Sequence, residues 1–196
     1  MISIPSNKIV FFDFDSTLAD TEPYHTFARD TVLASYGVHI SDWGPYLGNS
    51  DLSIFTLMKE RYGLDMDIPA AIDTKLRIFM EQAEKAGLLP YPEITELVQT
   101  LPNRKFIITS QRQGIVASFL ARWGLTDCFE DIISLAYSSM TKADKIIEMG
   151  FEPHDCILFD DRPRIVQEAC DKGIQSMLVV DGKVSGMPGT GKMTHT

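Results

Sequence analysis

Two aspartates, one residue apart, end the first apolar run of the chain, Lys8-Ile9-Val10-Phe11-Phe12-Asp13-Phe14-Asp15-Ser16-Thr17-Leu18. Alternate side chains of an extended segment share a side. Asp13 and Asp15 can therefore face one way at the carboxyl end of a strand while Phe12 and Phe14 point elsewhere. Unpaired buried charge is expensive, so such a pair needs compensation. A cap on the Ser16-Thr17 turn would account for Asp15 and leave Asp13 unexplained. A second acidic pair, Asp160-Asp161, ends the apolar run Cys156–Phe159. By itself it would serve equally well as a loop or helix cap before Arg162-Pro163. If the two strand ends lie side by side, their carboxylates repel one another strongly. A hard divalent cation with oxygen ligands resolves that repulsion, and Mg²⁺, which binds through a few carboxylates plus substrate phosphate, suits it best.

Two further features fit a phosphate. Thr109-Ser110 ends the run Lys105–Thr109 just before a helical pattern, which would offer a hydroxyl and main-chain amides at a helix N-terminus. Lys142 opens another helical stretch, at the end where the dipole disfavours a cation. Its ordinary reading is a solvated lysine, with Lys145 one turn on as competitor, but its place between the hydroxyl and the second acid pair favours a phosphate role.

The elements that must position these groups follow from periodicity. After residue 90, apolar runs at 105–109, 131–134, 156–159 and 176–180 alternate with amphipathic stretches stopped by Gly124, Gly150 and Gly173. Continuous apolar strands alternating with helices predict an α/β fold, a Rossmann-like open parallel sheet with helices on both faces. The segment 20–89 holds no convincing strand. Tyr24, Phe27, Ala28 and Val32 share one helical face, Ile54, Leu57, Met58 and Arg61 a second, and Ile72, Leu76, Phe79, Met80 and Ala83 a third. This predicts an inserted all-α cap over 20–89, with the core formed by 1–19 and 90–185. Residues 186–196 read as a flexible tail. They contain GxxxxGK, but Met193 follows where a phosphate-cradling loop needs Ser or Thr.

At 196 residues, 44% hydrophobic and 23% charged, the composition is that of a soluble globular protein. Eighteen basic against 27 acidic side chains give −9. That balance argues against a nucleic-acid or anionic-membrane surface, though a bound cation and a lysine or two can reverse the field locally for a small phosphorylated ligand. Cys128, Cys156 and Cys170 form no ligand cluster and read as small buried side chains in a reducing compartment. No run approaches the ~20 apolar residues of a membrane span, and the N-terminus turns acidic too soon for a secretory signal. The expectation is a cytoplasmic protein whose partner is a small metabolite. Nothing here bears on oligomeric state.

In order and spacing these motifs resemble those of the haloacid dehalogenase-like hydrolases, mostly Mg²⁺-dependent phosphatases. DFDSTL resembles the first motif, usually DxDGTL, with Ser16 in place of glycine; IITS resembles the second, Lys142 the third and LFDD the fourth. DTEPYH and YLGNS resemble the subgroup with a helical cap, which contains phosphoglycolate-type and sugar-phosphate phosphatases and β-phosphoglucomutases. The resemblance implies Asp13 as nucleophile, forming an aspartyl-phosphate, and Asp15 as proton carrier. It implies Mg²⁺ held by Asp13, Asp15 through its main chain, and Asp160 or Asp161, with Thr109, Ser110 and Lys142 on the transferring phosphoryl group. Glu22, Lys75 and Arg112 become candidate substrate contacts, the last two with a solvated charge as the bland alternative. Three departures stand out: Ala143 follows Lys142 where proline is usual, Ile165 stands where a further aspartate can occur, and Asp51 follows Gly48 where mutases carry a cation. The last favours hydrolysis over a phosphomutase. The acid set disfavours a C–halogen hydrolase, the motif order disfavours a phosphoacceptor signalling domain, and a full set of reacting groups disfavours a non-catalytic binding protein.

Overall fold

The computed structural model describes residues 4–46 and 49–186. Strands β1 (Ile9–Phe12), β2 (Arg104–Thr109), β3 (Asp131–Ser134), β4 (Cys156–Asp160), β5 (Gln175–Val180) and β6 (Lys183–Val184) form one sheet in the order β3-β2-β1-β4-β5-β6. All neighbours are parallel except β5 and β6. β1 is central, with β2 on one side and β4 on the other, so the strand order reverses there and the carboxyl ends diverge into a crevice. Phe12 lies opposite both Ile107 and Phe159, which brings Asp13 and Asp160 to the same level, one step beyond.

Both faces of the sheet are covered, as the apolar runs require. Phe11, Phe106, Ile108 and Leu158 form one face, packed against α6 (Lys142–Glu148) and α7 (Pro163–Asp171) through Ala143, Ile146 and Ala169. On the other, Phe12 stacks on Phe159 with ring centroids 4.8 Å apart, and Phe14 packs on Phe119 and Trp123 of α5 (Gln113–Trp123). Burying each such side chain contributes roughly 1.5–3 kcal/mol. A further helix, α4 (Pro92–Thr100), precedes β2.

The chain divides into two compact units, one of residues up to Asp20 together with those from Leu89 on, the other Thr21–Leu88. The second holds α1 (Glu22–Ala34), α2 (Asp51–Tyr62) and α3 (Ile68–Lys85). α2 and α3 start where Ser50 and Asp67 accept from the amides of Ser53 and Ala70. Its apolar centre is built from Val32, Leu33, Ile54, Phe55, Met58 and Ala71 among others.

Several expectations need correction. The buried face of α1 is His25, Ala28, Arg29 and Val32, and Phe27 is 49% exposed. Ion pairs draw Arg29 inward, and a hydrogen bond to Lys75 with stacking on Phe79 draws His25 in, forces to which apolar periodicity is blind. In α2, Phe55 is buried and Leu57 is exposed. A strand follows that no apolar run announces: after β5, Asp181 and Gly182, with φ of 49° and 73°, turn the chain into the antiparallel β6. Two consecutive positive φ values make this a type I′ hairpin, for which Asp-Gly is a preferred pair. Cys156 is buried, but Cys128 and Cys170 are only partly so. The tail motif, apart from Gly186, and Leu47 and Gly48 lie outside the described residues.

Candidate active site

Asp13, Asp160 and Asp161 converge at the carboxyl ends of β1 and β4, each offering a carboxylate oxygen within 4.8 Å of the others. Lys142, the first residue of α6, reaches between them: its Nζ lies 2.7 Å from Asp13 Oδ1 and 2.6 Å from Asp160 Oδ2. Lys142, Asp13 and Asp160 are all buried. The helix start is set by Thr141, whose hydroxyl accepts from the amide of Asp144. The bland reading of Lys142, a solvated lysine, does not hold, because the two carboxylates keep it inside, and Lys145 instead pairs with Glu148 near the surface. Burial works against its ammonium, but Asp13 and Asp160 outweigh that and raise its pKa.

One lysine does not balance the acids. Burial pushes Asp13 up to about 6, with Lys142 opposing and Asp160 and Asp15 adding to the rise. Burial, followed by Asp13 and Asp160, pushes Asp161 up to about 7. Asp161 Oδ1 is buried with no hydrogen-bond partner. A buried, orphaned carboxylate oxygen beside two more acids is a set of hard donors short of positive charge, and a divalent cation fits it.

Asp13 precedes, and Asp15 lies within, a tight loop in which the amide of Leu18 donates to Phe14 O at 2.9 Å. Ser16, at its centre, has φ 56°, the left-handed region in which a non-glycine residue costs roughly 1–2 kcal/mol. Glycine at this position would avoid that strain. Thr109, fully buried at the end of β2, accepts from the amide of Gln111 through its hydroxyl at 3.1 Å. Ser110 is exposed and lies three residues before α5, whose N-cap is Arg112, so it does not open that helix as expected. Arg112 sets its guanidinium over the ring of Tyr137 at 5.6 Å.

The two remaining candidates, Glu22 and Lys75, belong to the helical unit. Lys75, 1% exposed, is neither solvated nor isolated: its Nζ lies 2.7 Å from Asp51 Oδ2 and 2.7 Å from His25 Nδ1. Arg29 links the same Asp51, at 3.0 Å, to Glu22, at 2.9 Å. Burial tends to raise the Asp51 carboxyl, but Lys75 and Arg29 prevail and hold it below the usual range. Sequence reasoning found Lys75 and Glu22 but missed their partners His25, Arg29 and Asp51, because buried ion pairs leave no periodic mark. It also passed over Arg162 as a helix boundary. Its amide donates to Asp160 Oδ1 at 2.9 Å, and the acid cluster raises its pKa against the effect of burial. Its position directly after Asp160-Asp161 was the available signal.

The chain is similar in sequence and fold to several known proteins. The chain is 25% identical to the fructose-1-phosphate phosphatase YqaB of Escherichia coli strain K12, over 86% of this chain and 94% of that one. It is 26% identical to phosphoglycolate phosphatase 1 of Pseudomonas aeruginosa, over 92% of this chain and 72% of the relative. In fold it is similar to a β-phosphoglucomutase from Clostridium difficile, with TM-score 0.70, 17% identity and 87% and 83% of the two chains covered. It is similar too to CbbY from Rhodobacter sphaeroides, solved with phosphate, with TM-score 0.68, 19% identity and coverage of 88% and 86%. Residues 10–179 match the family model described as haloacid dehalogenase-like hydrolase, and the chain belongs to that family.

Proposed function

We propose that this hydrolase cleaves a small phosphomonoester, a sugar phosphate or similar metabolite, through an aspartyl-phosphate intermediate. The observation that carries the reading is the buried Lys142 ammonium shared by Asp13 and Asp160 beside the orphaned Asp161 oxygen. A phosphoryl group entering there meets a carboxylate, a fixed cation and a donor set suited to a metal.

In this reading Asp13 Oδ attacks phosphorus and the ester oxygen departs with a proton supplied by Asp15, which then takes a proton from the water that hydrolyses the acyl phosphate. With its pKa near 6, Asp13 is mostly ionised at neutral pH, as a nucleophile must be. The Thr109 hydroxyl, already accepting from Gln111, keeps its own proton to donate to a phosphoryl oxygen. Lys142 neutralises charge on the same group. Asp13, Asp160 and Asp161, with the main chain at Asp15, would hold Mg²⁺, which supplies the charge neutralisation that lets carboxylate and phosphate approach. The helical unit, which enters the chain directly after the Asp13–Leu18 loop, selects the substrate. Its Arg29 and Lys75 are engaged by Asp51, which favours hydrolysis over transfer between two phosphorylated positions of one sugar.

The test is phosphate release from a panel of phosphorylated metabolites, with and without Mg²⁺, for the natural chain and Asp13→Asn. Metal-dependent release that disappears in Asp13→Asn is the expected result. Undiminished turnover in the variant would refute the nucleophile assignment, and isomerisation of a sugar phosphate without net release would replace hydrolysis by mutase chemistry.

A further inference from the structure

The strained loop between Asp13 and Leu18 is closed by its own Leu18–Phe14 hydrogen bond. At its downstream end, Leu18 O accepts from the amide of Tyr91 at 2.7 Å. Tyr91 stands just past Leu89, where the chain returns from the helical unit, and caps α4. Its ring rests directly on the β5–β6 hairpin. A Cβ built on Gly182 would lie 2.3 Å from Tyr91 Cγ and 2.5 Å from its Cβ, so only hydrogen fits between them. The phenol faces acids from three segments. Burial, followed by Asp20, Asp181 and Asp161, raises its pKa. One residue thus joins two segments: its amide holds the loop bearing the acids and its ring sits on the hairpin.

Strained turns persist where their surroundings over-determine them, and Ser16 with φ 56° needs such surroundings. We propose that Tyr91, seated on Gly182, is a positioning residue that holds the Ser16 turn, and with it Asp13 and Asp15, in the reactive geometry. This rests on the phosphatase reading for its kinetic expression only; the mechanical coupling stands apart from it. A glycine at position 16 adopts the same φ without strain, so it would make the Tyr91 brace largely dispensable. The inference therefore predicts coupling between Ser16 and a hairpin on the far edge strands of the sheet.

The experiment is a pair of double-mutant cycles read in kcat, KM and thermal midpoint. Tyr91→Ala and Gly182→Ala should each lower kcat about tenfold or more at nearly constant KM, because a small misplacement of reacting groups acts on the rate. Tyr91→Phe, which keeps ring and amide, should stay within about twofold of the natural chain. Ser16→Gly added to either damaging variant should restore most of the rate. If Gly182→Ala does not fold, the cycle with Tyr91→Ala carries the test. Effects that multiply independently in kcat and add in thermal midpoint would overturn the proposal, as would a fall in midpoint with kcat unchanged. A natural chain that releases no phosphate from any monoester would sink the phosphatase reading instead. The midpoints alone would then still decide the coupling.

Discussion

Asp13, Asp160 and Lys142 form a site whose members depend on one another electrostatically. A lysine buried between two carboxylates is tolerable only because both lie within bonding distance of its ammonium, and removing one partner leaves the others uncompensated. Lys142→Met should therefore destabilise the metal-free protein by roughly 3 kcal/mol, seen in urea denaturation. In the proposed reaction it should lower kcat by about 10²- to 10³-fold with Mg²⁺ present. Ser16→Gly should act in the opposite direction on stability. It releases the roughly 1–2 kcal/mol of left-handed strain and costs about 0.5–1 kcal/mol in unfolded-chain entropy, so a net gain near 0.5–1 kcal/mol should appear in the same titration. The acids were legible because charge at the end of an apolar strand is anomalous. Lys142 was visible only as a misplaced helix-start cation, since its burial depends on strands 18 residues or more away in sequence.

At the scale of elements, the helical unit is held by an ionic cluster as well as by apolar packing. Asp51 at the start of α2 joins Arg29 on α1 to Lys75 on α3. The imidazole of His25, stacked on Phe79 with ring centroids 4.0 Å apart, takes the other side of the lysine. Lys75→Met should cost about 3 kcal/mol, and hydrogen exchange should localise the loss to α1, α2 and α3, leaving the amides of β1 and β4 protected. The cluster also sets an acid limit. Because the Asp51 pKa is held below its unfolded value, the unfolded chain binds more protons as pH falls through about 4 and the native state loses stability. Asp51→Asn should flatten this part of the stability–pH curve. Helix existence was readable from spacing, but the inward face of α1 was not: hydropathy assigns Arg29 and His25 to solvent, and their partners Asp51 and Lys75 on other helices bring them in.

For the whole molecule, the acid cluster makes stability depend on metal and pH together. Asp13 and Asp161, raised to about 6 and about 7, bind protons in the native state that the unfolded chain has released. Their contribution is complete below about pH 4 and is lost as pH rises through those values. Metal-free protein should thus have a lower thermal midpoint at pH 7.5 than at 5.5, and Mg²⁺ should narrow or abolish the difference. Calorimetry of Mg²⁺ binding at pH 7 in buffers of different ionisation enthalpy should show release of about half a proton or more, since Asp161 is about half protonated there. Binding without proton release would contradict the raised values.

What can be read along the chain are the properties that repeat or interrupt locally. The apolar runs ending in acid, the 3.6-residue stripes of 20–89 and the glycine stops carried the α/β class, and the order of the motifs carried the family resemblance. These survive without coordinates because secondary structure and strand burial are written into neighbouring residues. Which charges pair is settled across the fold. Lys142 meets Asp13 from 129 positions away, Tyr91 meets Gly182, and Asp51 gathers Arg29 and Lys75, each because packing of separate elements excludes water and leaves a charge or a ring only the partners that the fold brings to it. A linear pattern cannot encode that proximity, and the chemistry of the site depends on it.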